Sequence, residues 1–222
     1  ELNSTIYYNP AQIASDANLR TEIINSLDQY AKNVEINKFG GRFKYSKINT
    51  LIDRVDNGIT SNITKVIIRR DMKALINQFA QYELCFGNRF YINPAGYNIK
   101  STGFTITGFN ETAYITDVPN KDSAGNLDGS MLGTLTVVFK NNKGQQVVLI
   151  KDAGIVDYKK GEVILNTINI TSTISQNNII EVQAFPESND VVGLKDLYLS
   201  FDVSNTTINM NKDVIASGED VS

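Results

Sequence analysis

Apolar residues in the first part of the chain recur at spacings of three and four, the period of an amphipathic helix. This pattern predicts a helix over residues 15–34, and Ser15 or Asp16 is suited to cap its start. The predicted buried stripe consists of Leu19, Ile23, Leu27, Tyr30, Ala31 and Val34. One face of this helix should therefore pack on a core.

A glycine pair after this helix predicts a sharp turn. Gly40 and Gly41 supply backbone conformations that other residues adopt only at a cost. Phe39 and Phe43 flank the pair, and both are predicted to anchor the turn in the core.

A second, shorter helix is predicted to begin at Ser46 as its N-cap and to end at the Asn57-Gly58 signal. Its buried face would consist of Ile48, Leu51, Ile52 and Val55. A β-branched run then predicts a strand over residues 63–70.

Beyond residue 75 the hydrophobic period changes to two, which is typical of half-buried strands. Strands are predicted over residues 79–86, 89–92, 103–109, 113–118, 132–140, 146–151, 162–170, 179–185 and 197–203. Residues 119–131 are rich in Pro, Gly, Asp and Asn and predict a long loop. The predicted fold class is α+β. A helix-turn-helix-strand module over residues 1–75 would precede a mostly antiparallel β domain over 76–222, built as a sandwich or part-barrel.

The composition offers few groups for chemistry. The 222 residues include no histidine and one cysteine, Cys85, so the commonest general base and the usual zinc ligands are missing. No apolar run reaches the roughly 18 residues of a membrane-spanning helix. We therefore predict no enzymatic activity, no catalytic residue, no cofactor, no bound metal, no small-molecule substrate and no membrane partner.

Charge is unevenly distributed along the chain. Residues 38–73 hold nine basic and three acidic residues, a net charge of +6 in a chain of net charge −3. This segment is interpreted as a basic surface that faces an acidic partner, and the candidate interface residues are Arg42, Lys44, Arg69 and Arg70. The alternative is a nucleic-acid-binding module that uses the same segment, which would make binding strongly salt-dependent. A partner protein is favoured because the second helix offers few exposed side chains for reading bases.

Residues 15–70 resemble a known family of viral proteins. The resemblance rests on the helix at 19–30, the turn at Gly40-Gly41, the segment from 45 to 59 and the strand through Val66. This order is similar to the baseplate J-like family of contractile-tailed phages. It is most like the C-terminal half of the T4-type baseplate wedge protein, the product of gene six.

The resemblance implies a structural subunit in the virion, located in the tail baseplate and assembled in the host cytoplasm. Such subunits form dimers and rings around the hub and contact other wedge subunits. A β-rich receptor-binding module of the tail is a further alternative, since tail tips also carry such domains. Because the chain begins at Glu1 without an initiator methionine, we expect a piece of a longer or processed chain.

Overall fold

The computed structural model describes residues 1–32 and 36–214, and the chain divides into two compact units. The first unit contains Glu1–Ile67 and the C-terminal segment from Asn189 onwards, and the second contains Ile68–Ser188. The second unit is therefore inserted between two parts of the first.

The first unit begins with β1 (Leu2–Tyr8), α1 (Asp16–Ala31), β2 (Lys38–Phe39), β3 (Arg42–Phe43), α2 (Tyr45–Asp53) and β4 (Ile59–Val66). The second unit contains β5 (Ile68–Lys73), β6 (Phe79–Cys85), β7 (Lys100–Ser101), β8 (Phe104–Ile106), β9 (Phe109–Pro119), β10 (Leu132–Lys140), β11 (Gln146–Asp157), β12 (Glu162–Thr173), a short 3-10 helix (Gln176–Asn178) and β13 (Ile179–Ala184). The chain returns to the first unit with β14 (Val191–Val192), β15 (Tyr198–Leu199) and β16 (Thr207–Lys212).

The predicted α+β class is wrong, because the protein is mostly β. Strands make up 48% and helices 14%, and the two α-helices do not form a helix-turn-helix module. The chain starts with a strand, and two further short strands lie between the helices. The helical stripes were strong local signals, whereas most of the strands that surround them depend on pairing with residues far away in sequence.

The first unit is built on a three-stranded sheet with β1 at its centre. β1 runs antiparallel to β4 on one side and parallel to β16 on the other. Its buried side chains alternate and include Ser4, whose hydroxyl lies 2.9 Å from that of Thr64 in a buried pair. The polar Ser4 interrupts the apolar alternation of Leu2, Ile6 and Tyr8, which explains why the sequence pattern did not reveal this strand.

Both predicted helices exist, although the ends of the second differ. In α1, Ser15 accepts a hydrogen bond from the Asn18 amide, so it caps the helix as predicted, while Val34 lies outside the described residues. α2 begins one residue before Ser46, with Lys44 at its N-cap position, and ends at Asp53. The Asn57-Gly58 signal is used in a turn, where the Gly58 amide donates to the Asp56 carboxylate at 2.7 Å.

The β-branched run at 63–70 is two strands and not one. β4 ends at Val66 and β5 begins at Ile68, and the boundary between the two units falls between them. Composition alone does not mark this boundary, because Val66, Ile67 and Ile68 are equally suited to a strand.

The second unit contains a closed five-stranded barrel formed by β8, β9, β10, β11 and β12. Each neighbouring pair in the ring is antiparallel. An odd ring of antiparallel neighbours cannot close with straight strands, so a strand must bend. β12 pairs with β11 over 162–165 and with β8 over 170–173, and register shifts interrupt its pairing. Such irregularities bend a strand, which allows β12 to close the ring.

Several predicted strands of this unit are confirmed. β10 has the predicted bounds, and β6 ends one residue before the predicted end. The predicted strand at 89–92 is wrong, since Phe90 is buried and forms only an isolated bridge with Pro186. The alternating stretch at 197–203 contains only the short β15.

Candidate interaction surface

Two short ribbons of the first unit flank the glycine turn. β2 pairs with β15, and β3 pairs with β14. Gly40 has a φ of +62°, and a Cβ on Gly41 would overlap the carbonyl oxygen of Ile36. The turn between β2 and β3 therefore requires both glycines, but only Gly40 for the predicted backbone conformation, since Gly41 is required by the close approach of a carbonyl oxygen.

The two phenylalanines that flank the turn have different environments. Phe43 is buried, and its ring centroid lies 5.6 Å from that of Phe201 in an edge-to-face contact. Phe39 is 63% exposed, so the prediction that it anchors the core is wrong. It instead meets Tyr198, itself 54% exposed, at a centroid distance of 5.5 Å.

Tyr198 is held in place on this ribbon. Its backbone lies opposite Phe39 in the register of β2 and β15, and its hydroxyl donates to the carbonyl oxygen of Asn37 at 2.6 Å. Aromatic residues are enriched in protein interfaces, so this ordered pair of exposed rings is a candidate contact for a partner. No local signal linked residues 39 and 198, because their pairing is separated by most of the chain.

Other exposed apolar and basic residues lie on the same two ribbons as this aromatic pair. Val192 lies opposite Arg42 in the other ribbon, and the Leu194 carbonyl accepts from the Gly40 amide. We call this set the aromatic–basic surface, and its members, all exposed, are Lys38, Phe39, Arg42, Val192, Leu194 and Tyr198. Two cations beside a rigid apolar centre are suited to a protein partner with an apolar contact region and an acidic rim.

The four candidate interface residues are divided between the two units. Arg42 and Lys44 are exposed in the first unit, on β3 and just before α2. Arg69 and Arg70 lie on β5 of the second unit and are half-buried. Their role in an interface stays a prediction for all four.

The side chains of the two β5 arginines are engaged within the second unit. Arg69 Nε lies 3.3 Å from Asp71, and its Nη1 lies 3.8 Å from Glu181. Arg70 Nε donates to the Cys85 carbonyl at 3.1 Å. Arg42 and Lys44 are therefore the better placed of the four to contact a partner.

A buried polar cluster in the second unit was not found by sequence reasoning. The Tyr158 hydroxyl donates to Asp117 Oδ2 at 2.6 Å, and the Ile99 amide donates to Oδ1 at 2.7 Å. Burial raises the pKa of Asp117, although these hydrogen bonds oppose the rise. Burial, together with the Asp117 charge and hydrogen bond, also raises the pKa of Tyr158. Both side chains are fully buried, so we assign the cluster a structural role.

The described residues include neither a cluster suited to a metal ion nor a helix suited to a membrane. No group of three or more His, Cys, Asp or Glu residues within them is arranged to hold a metal ion. None of their helices combines the length and the apolar character needed to cross a membrane.

Comparison with known proteins gives a match to a family of structural proteins. Residues 1–71 match the family described as baseplate structural protein gp6, C-terminal domain III. No curated protein matches the chain. The matched segment covers the first-unit elements from β1 to β4 and the start of β5.

The match supports the resemblance of this segment to the gp6-type baseplate wedge protein. The baseplate J-like name is not confirmed by it. The segment that matches also contains Lys38, Phe39 and Arg42, so part of the aromatic–basic surface lies within it. The partner strands β14 and β15 lie outside the match.

Proposed function

We propose that this chain is a non-enzymatic structural subunit of a phage contractile-tail baseplate, of the wedge type. It acts through contacts with copies of itself and with other wedge subunits, which build the ring around the hub. Its location is the tail baseplate of the virion, and its assembly takes place in the host cytoplasm.

The main support for this proposal is the match of residues 1–71 to a baseplate structural protein domain. The aromatic–basic surface adds a physical means of association, since it presents ordered apolar area beside cations. A stable protein contact buries about 1,000 Å² or more, so this surface would form the centre of a larger interface.

The proposed role is tested by locating the chain within the phage particle. Tails purified from the phage that encodes the chain are analysed by quantitative mass spectrometry and by gold labelling of a tagged chain in electron micrographs. Label at the baseplate, in a fixed ratio to the other wedge proteins, is expected. Its absence from purified tails, or label confined to the tail fibres, would refute the proposal. Fibre label would favour the receptor-binding alternative.

Replacing the exposed Phe39 by serine should weaken association of the full chain with its partner subunits by about tenfold or more, because central aromatic residues dominate interface energies. The measurement is co-sedimentation or surface plasmon resonance with the purified wedge partners. Phe79→Ser is the matched control, since Phe79 is 73% exposed at the start of β6 in the other unit. Equal losses for the two variants would show that the aromatic–basic surface has no special part in association.

Reversing the two exposed candidate interface residues of the first unit, as in the double variant Arg42→Glu and Lys44→Glu, should slow association by about tenfold at low salt and much less at 0.5 M salt. The reason is that charges at the rim of an interface attract an acidic partner mainly during the encounter. Association rates in a salt series are the measurement. A filter-binding titration with DNA serves as the comparison, because steep salt-dependent DNA binding that the same variant abolishes would favour the nucleic-acid alternative.

A further inference from the structure

The first half of β11 forms an open strand edge beside the closed barrel. β10 pairs with β11 over 146–150 and 154–157 with register shifts at two points, but β12 pairs with it only from Gly154 to Asp157. Within the described residues, no strand pairs with the other edge of β11 over 146–152. At the C-terminal end of this unpaired stretch, Asn166 Nδ2 donates a hydrogen bond to the Asp152 carbonyl oxygen at 3.4 Å.

The middle of the open edge is apolar. Residues 147–150 are Val-Val-Leu-Ile, and Val147 and Val148 are 37% and 55% exposed. Proteins usually place charges on open edges to prevent unwanted strand pairing. Charged residues lie within the longer outer strands at Lys65 in β4, Arg69, Asp71 and Lys73 in β5, Glu83 in β6 and Lys212 in β16, and the open edge carries Lys151 and Asp152 after its apolar run.

The hairpin that carries this edge is ordered by its turn. The Asn141 side-chain oxygen accepts from the amides of Lys143 and Gln145, and Gly144 has a φ of +74°. The Gln145 carbonyl accepts from the Asn141 amide at 2.9 Å. A strand edge held in this way can accept another strand at a low entropic cost.

The charges around the edge indicate what would bind there. Residues 140–152 contain three lysines, Lys140, Lys143 and Lys151, and one acidic residue, Asp152. Lys143 and Lys151 lie at opposite ends of the apolar run. An extended segment with an apolar middle and acidic ends would complement both the backbone edge and these charges.

We propose that the edge of β11 over residues 146–152 binds an extended, acidic-flanked apolar segment of another protein, which adds to the sheet as an outer strand. Main-chain hydrogen bonds would supply much of the affinity, and the lysines would select acidic ends. This edge lies outside the segment that matches the baseplate family, so the inference does not depend on the proposed function.

The test uses the full chain and a synthetic peptide. The probe is a capped, fluorescent peptide of about seven residues that alternates valine and threonine and has glutamate at both ends. Fluorescence anisotropy measures its affinity, and amide NMR shifts locate it. Binding is expected to shift the amides of 145–152 and to weaken about tenfold when the peptide's end residues are lysine. N-methylation of alternate peptide bonds, which removes main-chain donors, should abolish it.

A pair of variants on the same strand provides the matched control. Val148→Lys should weaken binding by about tenfold, and Ile155→Lys should change it by less than about twofold. Ile155 is 54% exposed, almost the same as Val148, but its backbone is paired on both sides, with Thr134 and Ile164. Far-ultraviolet circular dichroism checks that both variants fold. Val148→Glu is a second variant, and it should weaken binding of the glutamate-ended peptide more than binding of the lysine-ended peptide.

The proposal is overturned if no peptide binds at millimolar concentration. Equal binding of the N-methylated peptide, equal binding of the two end charges, or equal effects of the two lysine variants would also overturn it. Sedimentation of the chain alone addresses a second copy as the occupant. A dimer that Val148→Lys dissociates would mean that the edge binds a second copy of the chain, and the proposed partner would then be wrong.

Discussion

Replacing Asp117 by alanine should lower the free energy of unfolding of the second unit by about 3 kcal/mol or more. The change leaves the Tyr158 hydroxyl and the Ile99 amide without their acceptor in a fully buried place. It also removes volume from a packed interior, which adds to the loss. The measurement is urea unfolding of the full chain, monitored through spectroscopic signals that arise from residues of the second unit.

Asp152→Ala is the control for this change, since Asp152 is an exposed carboxylate on β11 of the same unit. A surface change of this kind should alter stability by less than about 0.5 kcal/mol. Similar effects of the two variants would contradict the structural role of the buried cluster. Asp117→Asn should fall between them, because the amide keeps an oxygen acceptor for one of the two donors.

The pH dependence of stability provides a second measurement of the same cluster. The pKa of Asp117 is raised from its ordinary value of 3.8, because burial disfavours its charged form. The folded protein therefore holds this proton more tightly than the unfolded chain. The resulting contribution is fully present below pH 3.8 and is lost as the pH rises through the raised pKa. The free energy of unfolding is measured over this pH range for the unaltered chain and for Asp117→Asn. Only the unaltered chain should show this loss of stability as the pH rises.

Removing every residue after Ser188 should unfold the first unit and leave the second folded. The first unit would lose β16, which pairs with β1 from Asn3 to Tyr8. It would also lose β14 and β15, which pair with the strands on either side of the glycine turn. It would also lose three buried side chains, Val191, Phe201 and Ile208. The loss exceeds the few kcal/mol per domain by which proteins are stable, so the expected effect is complete unfolding of this unit.

Hydrogen exchange followed by mass spectrometry distinguishes the two units in the shortened chain. Amides of β1 and α1 should exchange at rates close to those of an unfolded chain, while those of β9 and β10 stay protected. The control keeps the C-terminal segment and replaces residues 68–188 by a flexible glycine–serine linker, which should leave the first unit protected. Protection of β1 in the shortened chain would show that the matched segment folds without its C-terminal partner strands.

Local signals were sufficient where the element depends on neighbours in sequence. The spacing of Leu19, Ile23 and Leu27 predicted the buried face of α1, and all three are buried. Strict alternation predicted β10 with its bounds. These patterns are reliable because a side-chain period of 3.6 or 2 follows directly from the geometry of a helix or strand.

Local signals failed where the partner is distant. Phe39 and Phe43 look alike in the sequence, yet one is exposed beside Tyr198 and the other is buried against Phe201. Their environments depend on residues 189–201, which return to the first unit after the inserted second unit. The sequence therefore indicated the basic part of the aromatic–basic surface but not its pair of exposed aromatic rings.

The sequence by itself determined the positions of both helices, most of the antiparallel strands, the glycine turn and the scarcity of groups for catalysis. Each of these follows from residue identity and short-range spacing. The tertiary structure alone decided the closed barrel, the pairing of β1 with β16, the burial of Asp117 with Tyr158 and the open edge of β11. These depend on strand register and on contacts between residues far apart in the chain, and a single sequence carries no local mark of such contacts.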